Sequence, residues 1–260
     1  MIEPVAPVGF QMRKELDIIA VGLDAFPAYI YKFHYNFNWD SIKDKIEEYL
    51  NDTDELTKKY NLNSPENDGG VSSVHWCYSN SIVSASSSNK GGDYGEHPFG
   101  LPQDWPELQD YYNYLNYVLG LVSTEWGYDP AWDRHISESW INMHPKGGWT
   151  GEHHHQNVMF ATTGYLNKPT NSGNFMVRNP LEIFKKSEPT DVSYWNHKKY
   201  WAPIEVETGD VLIFPGWLTH KTEVNESDDK RYIISTNYIP MRTLNGTTTQ
   251  EDMKDGVDKS

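Results

Sequence analysis

Two rhythms of apolar and polar positions divide the chain. After Asn38-Trp39-Asp40, apolar residues fall every four positions at Ile42, Ile46 and Leu50, with Lys and Glu between them. That spacing predicts a surface helix whose three aliphatic side chains face inward. A second helix is predicted over 106–126, where Leu108, Tyr112, Leu115, Leu119 and Val122 form one stripe and a proline stands near the start. Elsewhere the rhythm is two, or the run is short and wholly apolar. Residues 26–33, 135–143, 173–180, 210–214 and 231–238 read as strands bounded by Gly, Pro or Asn, and 17–23 as a further short one.

Short, regularly punctuated strands in the second half predict a mainly β fold with flanking helices, a sandwich or jelly roll. One domain is expected over 1–240. Its residues 1–135 supply strands, helices and loops that brace a barrel core at 136–240, and 241–260 form a polar tail. The Ser-, Gly- and Asn-rich stretches 61–70 and 79–100 read as loops bordering a site. Residues 182–203 form a polar excursion carrying Tyr194, Trp195, Tyr200 and Trp201.

Charge narrows the partners. With 22 basic against 37 acidic residues the net charge is -15, which opposes binding to a phosphate backbone, so no nucleic-acid partner is expected. No apolar run approaches the roughly 20 residues of a membrane span, and the start Met1-Ile2-Glu3 lacks the cationic opening of a signal peptide. The single cysteine, Cys77, excludes an intramolecular disulfide and suits a reducing compartment. A cytoplasmic protein without membrane contact is expected.

The chemistry gathers at Gly147-Gly148-Trp149-Thr150-Gly151-Glu152-His153-His154-His155-Gln156. If a strand continues through 158–163, alternation sends His153 and His155 to one face and His154 to the other. A lone histidine, His220, follows the apolar run and turn of 209–219. Imidazole suits Fe(II), and a metal held from one face keeps positions open for other ligands. The expected metal ligands are therefore His153, His155 and His220, with the register His154/Gln156 as the alternative pair. No catalytic residue is expected beyond the metal ligands. Arg231, opening the next β-rich run, suits bidentate capture of a carboxylate.

These motifs resemble the 2-oxoglutarate and Fe(II)-dependent oxygenases. The order Trp140-Ile141-Asn142, Gly147-Gly148, His153-His154-His155, then Phe214 to His220 and Arg231, is similar to a bacterial and phage branch of that superfamily with a His-x-His and His metal motif. The resemblance is strong over 140–239 and faint before it. It implies a double-stranded β-helix of the cupin-like kind, Fe(II), 2-oxoglutarate as co-substrate and dioxygen as reactant. The implied reaction is oxidative decarboxylation of 2-oxoglutarate to succinate, coupled to hydroxylation of a small molecule or side chain. Arg231, with Ser235 and Asn142, is implied to bind the co-substrate.

Three positions depart from the wider pattern. His155 stands where an Asp or Glu is usual, so the triad lacks an anionic ligand. Ile233 replaces the serine of Arg-x-Ser, leaving Ser235, two positions further along the same face, as the nearest hydroxyl. Gln156 replaces a proline. Two other readings stand beside the leading one: a three-histidine cupin-type dioxygenase that does not use 2-oxoglutarate, and a non-catalytic jelly-roll binding or assembly module.

Overall fold

Alternation along the strands builds three layers. The computed structural model describes residues 21–25, 28–60, 67–75, 97–128, 132–181, 200–244 and 247–248. Thirteen strands occur among them: β1 Val21–Ala25, β2 Ala28–His34, β3 Asn67–Asp68, β4 Val71–Ser72, β5 Trp132–His144, β6 Trp149–Thr150, β7 Phe160–Asn167, β8 Phe175–Arg178, β9 Trp201–Ile204, β10 Asp210–Pro215, β11 His220–Thr222, β12 Arg231–Leu244 and β13 Thr247–Thr248. The main sheet runs β1-β2-β10-β7-β12-β5-β4, with β13 pairing β12. A smaller sheet runs β11-β8-β9, and β3 pairs β6. Every pairing is antiparallel. This is the expected double-stranded β-helix, or jelly roll.

The main sheet is apolar on both faces, and successive residues go to opposite layers. Phe33, Phe160, Val211, Ile213 and Ile234 pack with the helices, whereas Ile30, Ala161, Leu212, Phe214 and Ile233 pack toward the smaller sheet with Phe175, Val177 and Ile204. Burying a side chain of this size stabilises by about 1.5–3 kcal/mol.

Helix α1, Trp39–Tyr60, buries Ile42, Ile46 and Leu50 as their spacing requires. The second helix, α2, spans Gln109–Glu125. It begins later than the stripe suggests, because Pro102 and Pro106 each open a separate 3-10 turn first, where a missing N–H costs nothing. Leu108, in the second of these turns, and Tyr112, Leu115, Leu119 and Val122 of α2 are all buried. Tyr112 reaches through to Ser139 on β5 at 2.6 Å, and Ser139 meets Thr236 on β12 at 3.0 Å. The helix is thereby fixed to the sheet's outer face.

Three expectations are corrected. The polar excursion read over 182–203 ends in a strand, β9, Trp201–Ile204, paired with β8, and residues 205–207 lead from it into the Gly209 turn. The tail expected from 241 begins within β12: Met241 and Arg242 still pair with Asp133 and Trp132, and Thr247–Thr248 fold back on Leu244 and Thr243. The polar stretch 61–70 contains β3 at its end, paired with Thr150 and Trp149. The expectations for 17–20, 61–66, 79–96, 182–199 and 249–260 lie outside the described residues.

Candidate metal centre

His220 is placed by a tight reversal. β10 ends at Pro215, Leu218 N–H closes the turn on Pro215 O at 3.0 Å, and the chain returns as β11. Gly216 has no alternative there, because an added Cβ would stand 2.3 Å from Val158 O. His153 and His220 exchange backbone hydrogen bonds of 3.0 and 2.9 Å, and His155 N–H donates to Gly216 O at 2.9 Å. A bridge one residue pair wide thus clips the histidine run to the far turn.

The run is not the continuous strand expected through 163. Asn157 adopts φ 60, and β7 starts only at Phe160. Residues 153–155 are nonetheless extended, so the alternation argument still applies: His153 and His155 turn inward while His154 and Gln156 are exposed. His153, His155 and His220 each offer a ring nitrogen, and these lie within 4.8 Å of one another.

The rings are prepared as neutral donors. Nδ1 of His153 donates to Gly151 O and Nδ1 of His220 to Leu218 O, both at 2.8 Å. A carbonyl only accepts, so each Nδ1 carries the proton and each Nε2 keeps its lone pair. Burial, with the neighbouring His153 and His154 adding to it, drives the His155 pKa down to about 3. Burial also holds His220 well below the usual value, with His153 and His155 adding to the effect. Phe175 stacks against His220 at 5.3 Å, Phe214 meets it edge-on at 4.7 Å, and Trp140 lies 6.0 Å from His155.

From the triad a cavity runs between the sheets. Its wall includes Asn142, Thr150, Thr222, Ile233 and Ser235. Asn142 and Ser235 thus reach the same cavity as the histidines. Arg231 does not line it. Its guanidinium is fully buried and donates to Ser172 O, to Glu223 O at 3.2 Å and to Thr222 Oγ1 at 3.0 Å. The bidentate face expected for a carboxylate is occupied by backbone carbonyls, as a buried guanidinium's donors must be satisfied.

Thr222 links the cation to the cavity and was not singled out by sequence reasoning. Its Oγ1 accepts from Arg231 and, at 2.9 Å, from Thr150 N–H. Both lone pairs are then used, and its own proton remains to donate. The signal was present, since Thr222 stands two positions after His220 and alternation returns it to the same face. His144 lies beside Arg231 across the strand pair and holds Thr150 Oγ1 at 2.8 Å. Burial, followed by the adjacent guanidinium, keeps it well below the usual histidine range. Arg231 Nε, His144 Nδ1, Tyr165 Oη and Ser172 Oγ are buried with no hydrogen-bond partner.

Residues 138–237 match the family model described as "Putative 2OG-Fe(II) oxygenase". Over that stretch the chain is similar to the 2OG-Fe(II) oxygenases. The match begins at Glu138 on β5 and ends at Asn237 on β12, so it encloses all three histidines and Arg231. No curated protein sequence matches the chain. Solved structures similar to this chain include an oxidoreductase of the 2OG-Fe(II) oxygenase family from Burkholderia pseudomallei, at 15% identity over 55% of this chain and 61% of that one, TM-score 0.40. The present chain therefore spans about three fifths of that protein. Others are a prolyl-4-hydroxylase from Pseudomonas putida (12% identity, 83% and 93% covered, TM-score 0.45) and HygX from Streptomyces hygroscopicus with nickel, 2-oxoglutarate and hygromycin B bound (12%, 81% and 82%, 0.45).

Proposed function

We propose that the chain is an Fe(II)- and 2-oxoglutarate-dependent oxygenase of the hydroxylase type, acting on a small molecule or a side chain. The observation that carries this reading is the convergence of His153, His155 and His220 on a cavity whose wall also holds Thr222, the hydroxyl bonded to the buried Arg231. The donor set fits a borderline divalent cation: three imidazoles, of which burial keeps His155 and His220 neutral, while His153 and His220 each carry a proton on Nδ1 toward a carbonyl. When bound, Fe(II) chelated by 2-oxoglutarate supplies activation of dioxygen, with decarboxylation to succinate coupled to C–H oxidation.

The chain's own residues do the rest. His153, His155 and His220 hold the cation from one side. Thr222 donates its hydroxyl proton to the distal carboxylate of the dicarboxylic acid, and Arg231, bonded to the same hydroxyl, places its positive charge behind that contact. Asn142 and Ser235 stand along the cavity to accept or donate hydrogen bonds. Trp140, Phe175 and Phe214 keep the ligand end dry, which strengthens each electrostatic contact inside.

The test is to incubate the iron-loaded protein with 2-oxoglutarate and dioxygen and to measure succinate. Turnover uncoupled from any added substrate is expected, and none in His220→Ala. Thr222→Val should weaken 2-oxoglutarate binding by about 1.5–3 kcal/mol, the range for a hydrogen bond to a charged group. Arg231→Ala should cost about 2–5 kcal/mol by leaving that carboxylate buried without its cation. Iron binding without succinate would favour the three-histidine dioxygenase instead, a reading to which the carbonyl-bonded Arg231 lends weight.

A further inference from the structure

Thr150 lines the same cavity as Thr222, and its N–H donates to Thr222 Oγ1 at 2.9 Å. The paired glycines bring it there. After His144 the chain reverses through 145–148, with Gly147 at φ 84 and Gly148 N–H on Pro145 O at 2.9 Å. A Cβ on Gly148 would stand 3.0 Å from Pro145 Cδ and 3.3 Å from Gly69 O, so only a glycine lets β6 fold back this tightly over the end of β5. Strand β3 then holds β6, with Asn67 opposite Thr150. The outcome is a contact of 2.8 Å between Thr150 Oγ1 and His144 Nε2.

The direction of that hydrogen bond follows from the rest of the ring. His144 is fully buried and stands opposite Arg231 across β5 and β12. Its Nδ1 has no hydrogen-bond partner among the described residues, and burial with the adjacent guanidinium keeps the ring neutral. A neutral imidazole carries one proton. On Nδ1 that proton would be a buried donor without an acceptor, in a ring beside a cation; on Nε2 it is used by Thr150 Oγ1. Nε2–H therefore donates and Thr150 Oγ1 accepts. The hydroxyl proton of Thr150 is left without an acceptor among the described residues, as is that of Thr222.

We propose that His144 is a positioning residue and Thr150 a specificity-determining contact for the co-substrate: by donating to Thr150 Oγ1, His144 makes that hydroxyl a donor toward the cavity beside Thr222, and the two hydroxyls each bond one oxygen of the distal carboxylate. A carboxylate only accepts, so it satisfies both protons at once. The proposal rests on the 2-oxoglutarate reading given above and adds its second contact.

The experiment is calorimetric titration of the full-length, Mn(II)-loaded protein with 2-oxoglutarate and with 2-oxopentanoate, which has the same 2-oxo acid head and carbon count but no distal carboxylate. The ratio of the two affinities reads the clamp alone, because both acids chelate the metal through the same head. Thr150→Val, which keeps the shape and removes the hydroxyl, is expected to lower that ratio about tenfold or more, as for a lost hydrogen bond to a charged group, while leaving 2-oxopentanoate binding unchanged. Thr150→Ser should restore the ratio, and Thr150→Ala serves if the valine variant does not fold. His144→Phe should lower the ratio in the same direction, whereas His144→Gln, which can place an amide N–H where Nε2 stands, should keep most of it. An unchanged ratio in Thr150→Val or in His144→Phe overturns the inference, and so does an equal loss for both acids, which marks a structural role; 2-oxoglutarate binding by the wild type then leaves the co-substrate reading standing. A wild type that binds neither acid removes that reading and this inference with it.

Discussion

At the scale of residues, the account turns on how few polar atoms do the selecting. His153 and His220 owe their tautomer to backbone carbonyls at 2.8 Å, so replacing either ring removes a donor that no neighbour replaces. His153→Ala is expected to lower Co(II) affinity by two orders of magnitude or more in direct titration, since losing only a hydrogen-bond partner of a ligating ring is worth about 10–100-fold. The convergence of His153, His155 and His220 was legible from the sequence because alternation and turn position are local properties. The setting of Arg231 was not. Nothing in its spacing indicates that Ser172 O and Glu223 O, from two separate loops, converge on its guanidinium. His144 could have been found, since it lies an even number of positions from a residue already suspected, Asn142. What the sequence hides is which strands face each other.

At the scale of elements, the turns matter more than the strands. Residues 153–155 stay extended only because the 216–220 reversal bonds to them, and the regular strand expected there is broken by the left-handed Asn157. Gly216→Ala places a Cβ against Val158 O and must push the two turns apart. It is expected to cost about 1–3 kcal/mol of stability by overpacking and to weaken metal binding with it, read by denaturant unfolding and Co(II) titration in the same preparation. Gly164 makes the companion case on the helical side, where a Cβ would meet Tyr111 Oη at 2.7 Å and Ile234 Cγ2 at 3.1 Å. Gly164→Ala should cost stability by a similar amount but leave Co(II) affinity unchanged. Helices α1 and α2 were read well because amphipathic spacing reports burial directly. The start of α2 was misread because a proline can open a 3-10 turn as readily as an α-helix.

For the whole molecule, three packed layers put several histidines out of reach of water. No helix among the described residues is long and apolar enough to cross a membrane. His97 is 3% exposed, and burial lowers its pKa to about 4 against a partial opposing pull from Asp52. His144 is shifted in the same direction. The unfolded chain takes up these protons near pH 6.5, whereas the folded one refuses them until the pH is far lower. Stability is therefore full above about pH 6.5 and falls as the pH drops toward 4, with a limiting slope of about 1.4 kcal/mol per pH unit for each such histidine. Urea unfolding of metal-free protein at pH 7.0, 6.0 and 5.0 should show that loss, and His97→Gln should reduce it. A stability independent of pH across that window would mean that these rings are not buried neutral.

The central claim is that three imidazoles from distant parts of the chain hold one metal ion next to a cavity that takes a dicarboxylic acid. The most direct test is anaerobic titration of the protein with Fe(II) and then 2-oxoglutarate, following the charge-transfer absorption that appears when a 2-oxo acid chelates ferrous iron. The account predicts one Fe(II) per chain, a band that saturates with 2-oxoglutarate, and loss of both in the His153→Ala/His220→Ala variant. Iron bound equally well by that variant, or no band from wild type with iron in place, would contradict it.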